Sequence, residues 1–92
     1  MRSFEMGQLV ATRGIVDAVD NDPGLATFIG ASLGRYQRCD WGEMCQEDKD
    51  MNDLSLSGGG RIFAAYENEV YKVWIITEAD RSVTTVLFPD EY

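Results

Sequence analysis

Carboxylate side chains crowd one short stretch of this sequence. Residues 40–53 hold six acids against a single lysine, Lys49; the acids are Asp40, Glu43, Glu47, Asp48, Asp50 and Asp53. Apolar side chains recur between and just after them at intervals of three and four residues, namely Trp41, Met44, Cys45, Met51 and Leu54. This spacing predicts an amphipathic helix that shows a row of negative charge to water or to a basic partner.

The predicted acidic helix begins at Asp40, because Glu43 follows three residues later in the pattern of a capping box. One helical face then carries Asp40, Glu43, Glu47 and Asp50, while the apolar residues lie on another. Like charges at these spacings weaken an isolated helix by roughly a few tenths of a kcal/mol per pair. A local cost in stability of this kind is expected at functional sites. We therefore predict a partner-binding set made of Asp40, Glu43, Glu47, Asp50 and Asp53.

The composition favours a basic protein surface over nucleic acid as the partner. The chain has 92 residues, with 16 acidic and 8 basic side chains and a formal charge of -8. Nucleic-acid affinity depends largely on contacts between cations and phosphates, so direct binding of DNA or RNA is disfavoured. A negative field speeds and selects encounters with a basic protein or ribonucleoprotein. The alternative left open is that the charge only keeps the protein soluble.

The residue types argue against catalysis. The chain has no histidine, and nothing singles out a catalytic pair of carboxylates, so an enzyme that uses carboxylates alone is the weakest alternative. A calcium loop starting at Asp48 would need glycine at its sixth position, where Asp53 stands, and glutamate at its twelfth, where Gly59 stands. The glycines at 58–60 lead towards a predicted strand, which makes them a linker instead of a phosphate loop. We expect no enzymatic activity, no cofactor and no metal.

Hydropathy predicts a cytoplasmic protein. The apolar runs are far shorter than the roughly 20 residues that cross a bilayer. Residues 1–14 contain no apolar stretch of the kind a signal peptide needs. Cys39 and Cys45 are then expected to remain thiols, since their separation fits neither a zinc ribbon nor a redox pair.

The order of the apolar patterns predicts an α+β fold, with two to three N-terminal helices packed on a C-terminal antiparallel three-stranded meander. A single domain at 1–92 divides into a helical half at 7–57, a glycine-rich linker at 58–60 and the β-meander at 61–89. Residues 7–12 are either a short N-terminal edge strand or the entry to a first helix, and both alternatives stay open.

A helix and three strands are the clearest of these elements. Asp22 is a suitable cap for a helix that has Pro23 in its first turn. Strands at 62–66, 71–77 and 83–88 are rich in β-branched and aromatic residues, and short connections between them suit hairpins. The middle strand is apolar on both faces. One face should cover the helices, and the other, around Trp74 and Ile76, should be shielded by a tail, a strand or a second subunit.

Three stretches of the sequence resemble a family of small bacterial proteins: GQLVATRGIVDA, CDWGEMCQEDKDMND and KVWIITEADRSVTTVLFPDEY. Members of this family occur on plasmids, prophages and other mobile elements, often in gut Firmicutes, and the similarity covers nearly the whole chain. The motifs WGEMCQEDK and WIITEADRS look specific to it. The family brings no established catalytic site with it.

The resemblance implies a role against host defence, because mobile elements carry small acidic anti-CRISPR and anti-restriction proteins, some of which imitate the charge of DNA. On the predicted helix, Glu43, Glu47 and Asp50 would be spaced by about 5 to 6 Å, which is comparable with phosphate spacing. The expected function is a non-catalytic acidic binding protein that inhibits or modulates a basic, nucleic-acid-handling host defence complex. The alternative is a structural or regulatory homodimer, joined around Trp74 and Ile76, whose acidic surface is only solubilising.

Overall fold

The computed structural model of the protein describes residues 4–92. A short strand comes first, three helices follow it, and the other three strands come last. The elements in chain order are β1 (Gln8–Ala11), α1 (Arg13–Asn21), α2 (Pro23–Gln37), α3 (Gln46–Gly58), β2 (Ile62–Glu67), β3 (Lys72–Thr77), β4 (Val83–Leu87) and a 3-10 turn, Pro89–Glu91. The predicted α+β class and its N-terminal helices are confirmed.

The sheet has four strands in the order β1-β4-β3-β2 and is mixed. β2, β3 and β4 form the predicted antiparallel meander, but β1 adds to it as an edge strand parallel to β4. Of the two alternatives for residues 7–12, the edge strand is the one present, and with it the sheet is mixed instead of purely antiparallel. The sequence alone did not decide this point, because the parallel pair joins residues from opposite ends of the chain and leaves no local pattern in the sequence.

The approach to β1 depends on Gly7. This residue has a φ of +64°, and a Cβ there would overlap the main-chain oxygens of Arg81 and Ser82. Glycine allows both the left-handed backbone and the close contact. Gln8 can then donate its N–H to the Ser82 carbonyl at 3.0 Å, which starts the parallel ladder beside β4.

The predicted cap of α2 is present. The Asp22 carboxylate accepts from the N–H groups of Gly24 and Leu25 at 3.0 and 3.3 Å, with Pro23 in the first turn. These bonds satisfy N–H groups that a helix start leaves without partners. The helix buries Leu25, Ile29, Ser32 and Tyr36 against the sheet.

The face of the sheet that meets the helices forms the core. Its nearly or fully buried apolar members are Ile62, Ala64, Tyr66, Val73, Ile75 and Val86. A chain of buried hydroxyls crosses this core: the Tyr36 hydroxyl lies 2.7 Å from Thr77 Oγ1, which lies 2.7 Å from Thr84 Oγ1. Thr84 donates in turn to the Met6 carbonyl at 2.7 Å. The hydroxyls thereby link α2, two strands and the segment before β1.

The acidic helix starts later than the sequence predicts. α3 begins at Gln46, its N-cap is Cys45, and the cap makes no side-chain hydrogen bond. The prediction of a helix capped by Asp40 is wrong because the preceding segment pairs with the sheet: Gly42 forms a parallel bridge with Ala65 of β2. Positive φ angles at Cys39 and Gly42, of 66° and 76°, also interrupt any helix there.

Candidate partner-binding surface

The five acids predicted to bind a partner fall into two groups. Asp40 and Glu43 lie in the loop before α3, whereas Glu47, Asp50 and Asp53 lie on the helix. The continuous row of Asp40, Glu43, Glu47 and Asp50 along one helical face does not form. Each group therefore has its own surroundings and its own role.

Asp40 and Glu43 form ion pairs with Arg35 of α2. Arg35 Nε lies 2.8 Å from Asp40 Oδ2, and its Nη1 lies 3.5 Å from Glu43 Oε1. The hydrogen bond from Arg35 is the main reason why the pKa of Asp40 lies below its usual value. The guanidinium also sits 5.1 Å above the Tyr66 ring centre, within the range of a cation–π contact. These charges thus hold the loop against α2 and β2.

The loop covers the outer edge of β2, which is an edge strand of the sheet. The Glu43 N–H donates to the Ala65 carbonyl at 2.8 Å, and the Glu43 carboxylate accepts from the Glu67 N–H at 3.1 Å. Exposed strand edges favour unwanted pairing with other chains, and natural proteins cover them. Glu43 therefore protects the edge of β2 from pairing with other chains.

Hydrogen bonds that involve three side chains help to hold α3 in place. Asn52, the only buried residue of the helix, donates to the Phe63 carbonyl at 2.6 Å and accepts from the Phe63 N–H at 3.1 Å. Near the middle of the helix, Asp53 accepts from the indole N–H of buried Trp41 at 3.0 Å. At its end, Arg81 donates to the carbonyls of Ser55 and Gly60, both at 2.7 Å. Sequence reasoning missed the roles of Asn52 and Arg81, because each depends on a partner distant in the chain.

The outward side of α3 carries acidic and apolar residues together. Glu47, Asp50, Met51 and Leu54, which we call the α3 stripe, follow the spacing i, i+3, i+4, i+7 and so share one helical face. All four are exposed, with Met51 at 58% and Leu54 at 66%. The prediction that the apolar residues lie on a face apart from the acids is wrong for Met51, which lies beside Glu47 and Asp50, whereas Asn52 points to β2. The spacing of the stripe was visible in the sequence, but its direction was not.

The second face of the sheet is partly shielded by the chain itself. The Trp74 ring contacts the rings of Phe63 and Tyr92, with centroids 4.9 and 5.6 Å apart. Ile76 is 5% exposed although it lies on this face. The C-terminal tail, one of the shields expected for the face around Trp74 and Ile76, is in place.

The described residues offer few other sites. Within 4–92, no three acidic or cysteine side chains are close enough together to hold a metal ion. Cys39 is half-buried and Cys45 exposed, and no disulfide joins them. None of the described helices is long and apolar enough to cross a membrane.

Comparisons with known proteins do not extend this description. No family model, no curated protein and no solved structure significantly matches the chain. The resemblance to proteins of mobile elements therefore stays a prediction, and the case for a function depends on the surfaces described above.

Proposed function

We propose that this protein is a non-catalytic binding protein that contacts a basic protein surface through the α3 stripe. In line with its sequence resemblance, the partner would be a nucleic-acid-handling host defence complex that the protein inhibits or modulates. The observation that carries the proposal is the exposure of Met51 and Leu54 directly beside Glu47 and Asp50. Large apolar side chains grouped on a surface are typical of sites that another molecule covers.

The two kinds of side chain would do different work in such a contact. Glu47 and Asp50 would attract and orient a basic surface, which mainly raises the rate of association. Met51 and Leu54 would enter an apolar depression on the partner and slow dissociation, as buried anchors do in protein interfaces. Methionine suits this role because its flexible, polarisable side chain adapts to irregular surfaces.

The mixed acidic and apolar character of the stripe favours a partner surface that is both basic and apolar over a basic cleft that binds the DNA backbone. Imitation would need a long row of regularly spaced charges. The loop position of Glu43, and the ion pairs that Asp40 and Glu43 make with Arg35, leave two acids on the stripe itself. A protein surface with basic residues around an apolar hollow matches the stripe better.

A capture experiment with matched variants tests the proposal. The tagged protein is incubated with nuclease-treated lysate of a bacterial host, beside Glu47→Lys/Asp50→Lys and Met51→Ser/Leu54→Ser. We expect the parent to retain a basic complex that acts on nucleic acid, and both variants to lose it. Rising salt should weaken capture, since exposed charges are screened over about 10 Å at 0.1 M. The activity of the captured complex on nucleic acid should fall when purified parent is added.

The control for charge is Glu69→Lys/Asp90→Lys, which changes the net charge equally at exposed positions outside α3. It should capture the same complex as the parent. Equal capture by the α3 charge variant and this control would show that the stripe is not the binding surface. A captured complex whose activity is unchanged by the protein would remove the inhibitory role.

A further inference from the structure

Within residues 4–92, no strand covers the outer edge of β1. Gln8 and Thr12 donate their N–H groups to Ser82 and Val86 of the β4 side, at 3.0 and 3.1 Å. Alternate residues of a strand point their main-chain groups to the same neighbour. The N–H and C=O groups of Leu9 and Ala11 therefore point away from the sheet, where no strand from residues 4–92 pairs with them.

An apolar groove lies beside this open edge. The register of β1 pairs Leu9 with Thr84 and Ala11 with Val86, which puts both side chains on the helix-covered face. Leu9 is nevertheless 49% exposed and Val16 of α1 is 48% exposed. The groove between β1, α1 and α2 has a volume of about 370 Å³; its lining includes Ile15, Val19, Ile29 and Leu33. One further strand at this edge would cover the exposed part of the core.

We propose that β1 of a second copy of this chain occupies the edge. The two strands would run antiparallel about a two-fold axis at Val10, with Leu9 of each copy opposite Ala11 of the other. The outward groups of these two residues then exchange four main-chain hydrogen bonds. This arrangement is self-complementary, as a two-fold interface must be, and joins two four-stranded sheets into one of eight.

Side chains around the axis fit the same arrangement. Residues directly opposite in an antiparallel pair share a face, so Leu9 of one copy would cover Ala11 of the other at the mouth of the groove. The two-fold axis also sets the α1 helices antiparallel. Arg13 at the start of α1 is 94% exposed and its Nε lies 4.0 Å from Asp17 Oδ2 of the next turn, and Asp20 follows on a later turn. The basic end of each α1 would thus face the acidic end of the other, which offsets part of the repulsion between two chains of charge -8.

The mass of the protein in solution tests this dimer, and the test does not depend on any function of α3. Sedimentation equilibrium should give twice 10.3 kDa, and added salt should not dissociate the dimer, because main-chain hydrogen bonds and apolar contacts hold it. Leu9→Lys and Val16→Lys should each weaken it by about tenfold or more. Val70→Lys makes the same change at a residue that is 75% exposed in the β2–β3 turn, and it should stay dimeric. A parent that is monomeric up to about 1 mM would overturn the proposal.

A cross-link tests the register. Val10 would face its own counterpart as a non-hydrogen-bonded pair, with Cα atoms about 4.5 Å apart, a separation that a disulfide can bridge. In a Cys45→Ser background, Val10→Cys should form a covalent dimer rapidly under mild oxidation. Val70→Cys in the same background should do so slowly. Equal rates from a dimeric protein would place the interface elsewhere, for example at Trp74, and overturn the β1 pairing.

Discussion

At the scale of single residues, two buried tyrosines couple stability to pH. Tyr36 and Tyr66 are fully buried; their hydroxyls bond to Thr77 and to the Asp40 carbonyl respectively. Burial raises the pKa of both side chains above the ordinary value near 10. A raised pKa means that the fold favours the neutral form. The stability gained by keeping these tyrosines neutral is complete below the pKa that tyrosine has in the unfolded chain. It is lost as the pH rises from that value towards the raised pKa of the folded state.

We therefore expect the free energy of unfolding to fall steeply above about pH 10, by up to about 1.4 kcal/mol per pH unit for each tyrosine. Tyr36→Phe should cost about 1 to 2 kcal/mol at neutral pH through its lost hydrogen bonds, and should make the alkaline fall less steep. The measurement is urea unfolding followed by circular dichroism from pH 8 to about pH 12. An unaltered slope in Tyr36→Phe would contradict this assignment.

At the scale of elements, α3 buries little of its surface. Its only buried residue is Asn52, whose amide bonds to both main-chain groups of Phe63 and so replaces part of a neighbouring strand at the β2 edge. An amide can donate and accept at once, which a carboxylate cannot do. Docking of α3, and with it the direction of the α3 stripe, depends on this side chain.

We expect Asn52→Ala to loosen α3 by about 1 to 3 kcal/mol, because it leaves the Phe63 groups without partners. Asn52→Asp should have a larger effect, since its carboxylate would face the Phe63 carbonyl. Hydrogen exchange should accelerate in α3 much more than in β3. The control is Asn68→Ala, whose Oδ1 accepts from Val70 and Tyr71 in the β2–β3 turn; its effect should be confined to that turn. Unchanged exchange in α3 of Asn52→Ala would show that other contacts hold the helix.

At the scale of the whole molecule, the two proposed surfaces lie at opposite edges of the sheet. α3 packs beside β2, and the proposed dimer axis passes next to β1. In an eight-stranded sheet the two β2 strands would be seven strand spacings apart, or about 34 Å at roughly 4.8 Å per strand. The dimer would therefore present two α3 stripes at its two ends.

If both proposals hold, the protein binds its partner bivalently. A complex with a partner that has one basic site should contain one dimer and two partner molecules, as measured by light scattering. On a sensor that carries immobilised partner at high density, the parent should bind more tightly than Leu9→Lys, by a factor of about 10² to 10⁴. When the partner is immobilised at low density, the parent and Leu9→Lys should bind with equal affinity. Equal affinities at high density would exclude bivalent binding even if the α3 stripe and the dimer are each correct.

The local pattern of the sequence determined much of this fold. Asp22 and Pro23 predict the start of α2, because capping involves residues two or three positions apart. The three strands of the meander follow from their β-branched and aromatic residues, and alternation divides the residues of β3 between its two faces. The α+β class follows in turn from the order of these segments.

Only the tertiary structure decided the rest. Residues 8–11 became a strand because β4, from the other end of the chain, is their partner. The loop from Asp40 to Cys45 left the helical pattern because Arg35 and the edge of β2 hold it. The direction of α3, which exposes Met51 and Leu54, depends on Asn52 meeting Phe63. In each case the deciding contact joins residues far apart in sequence, and spacing along the chain carries no information about such contacts.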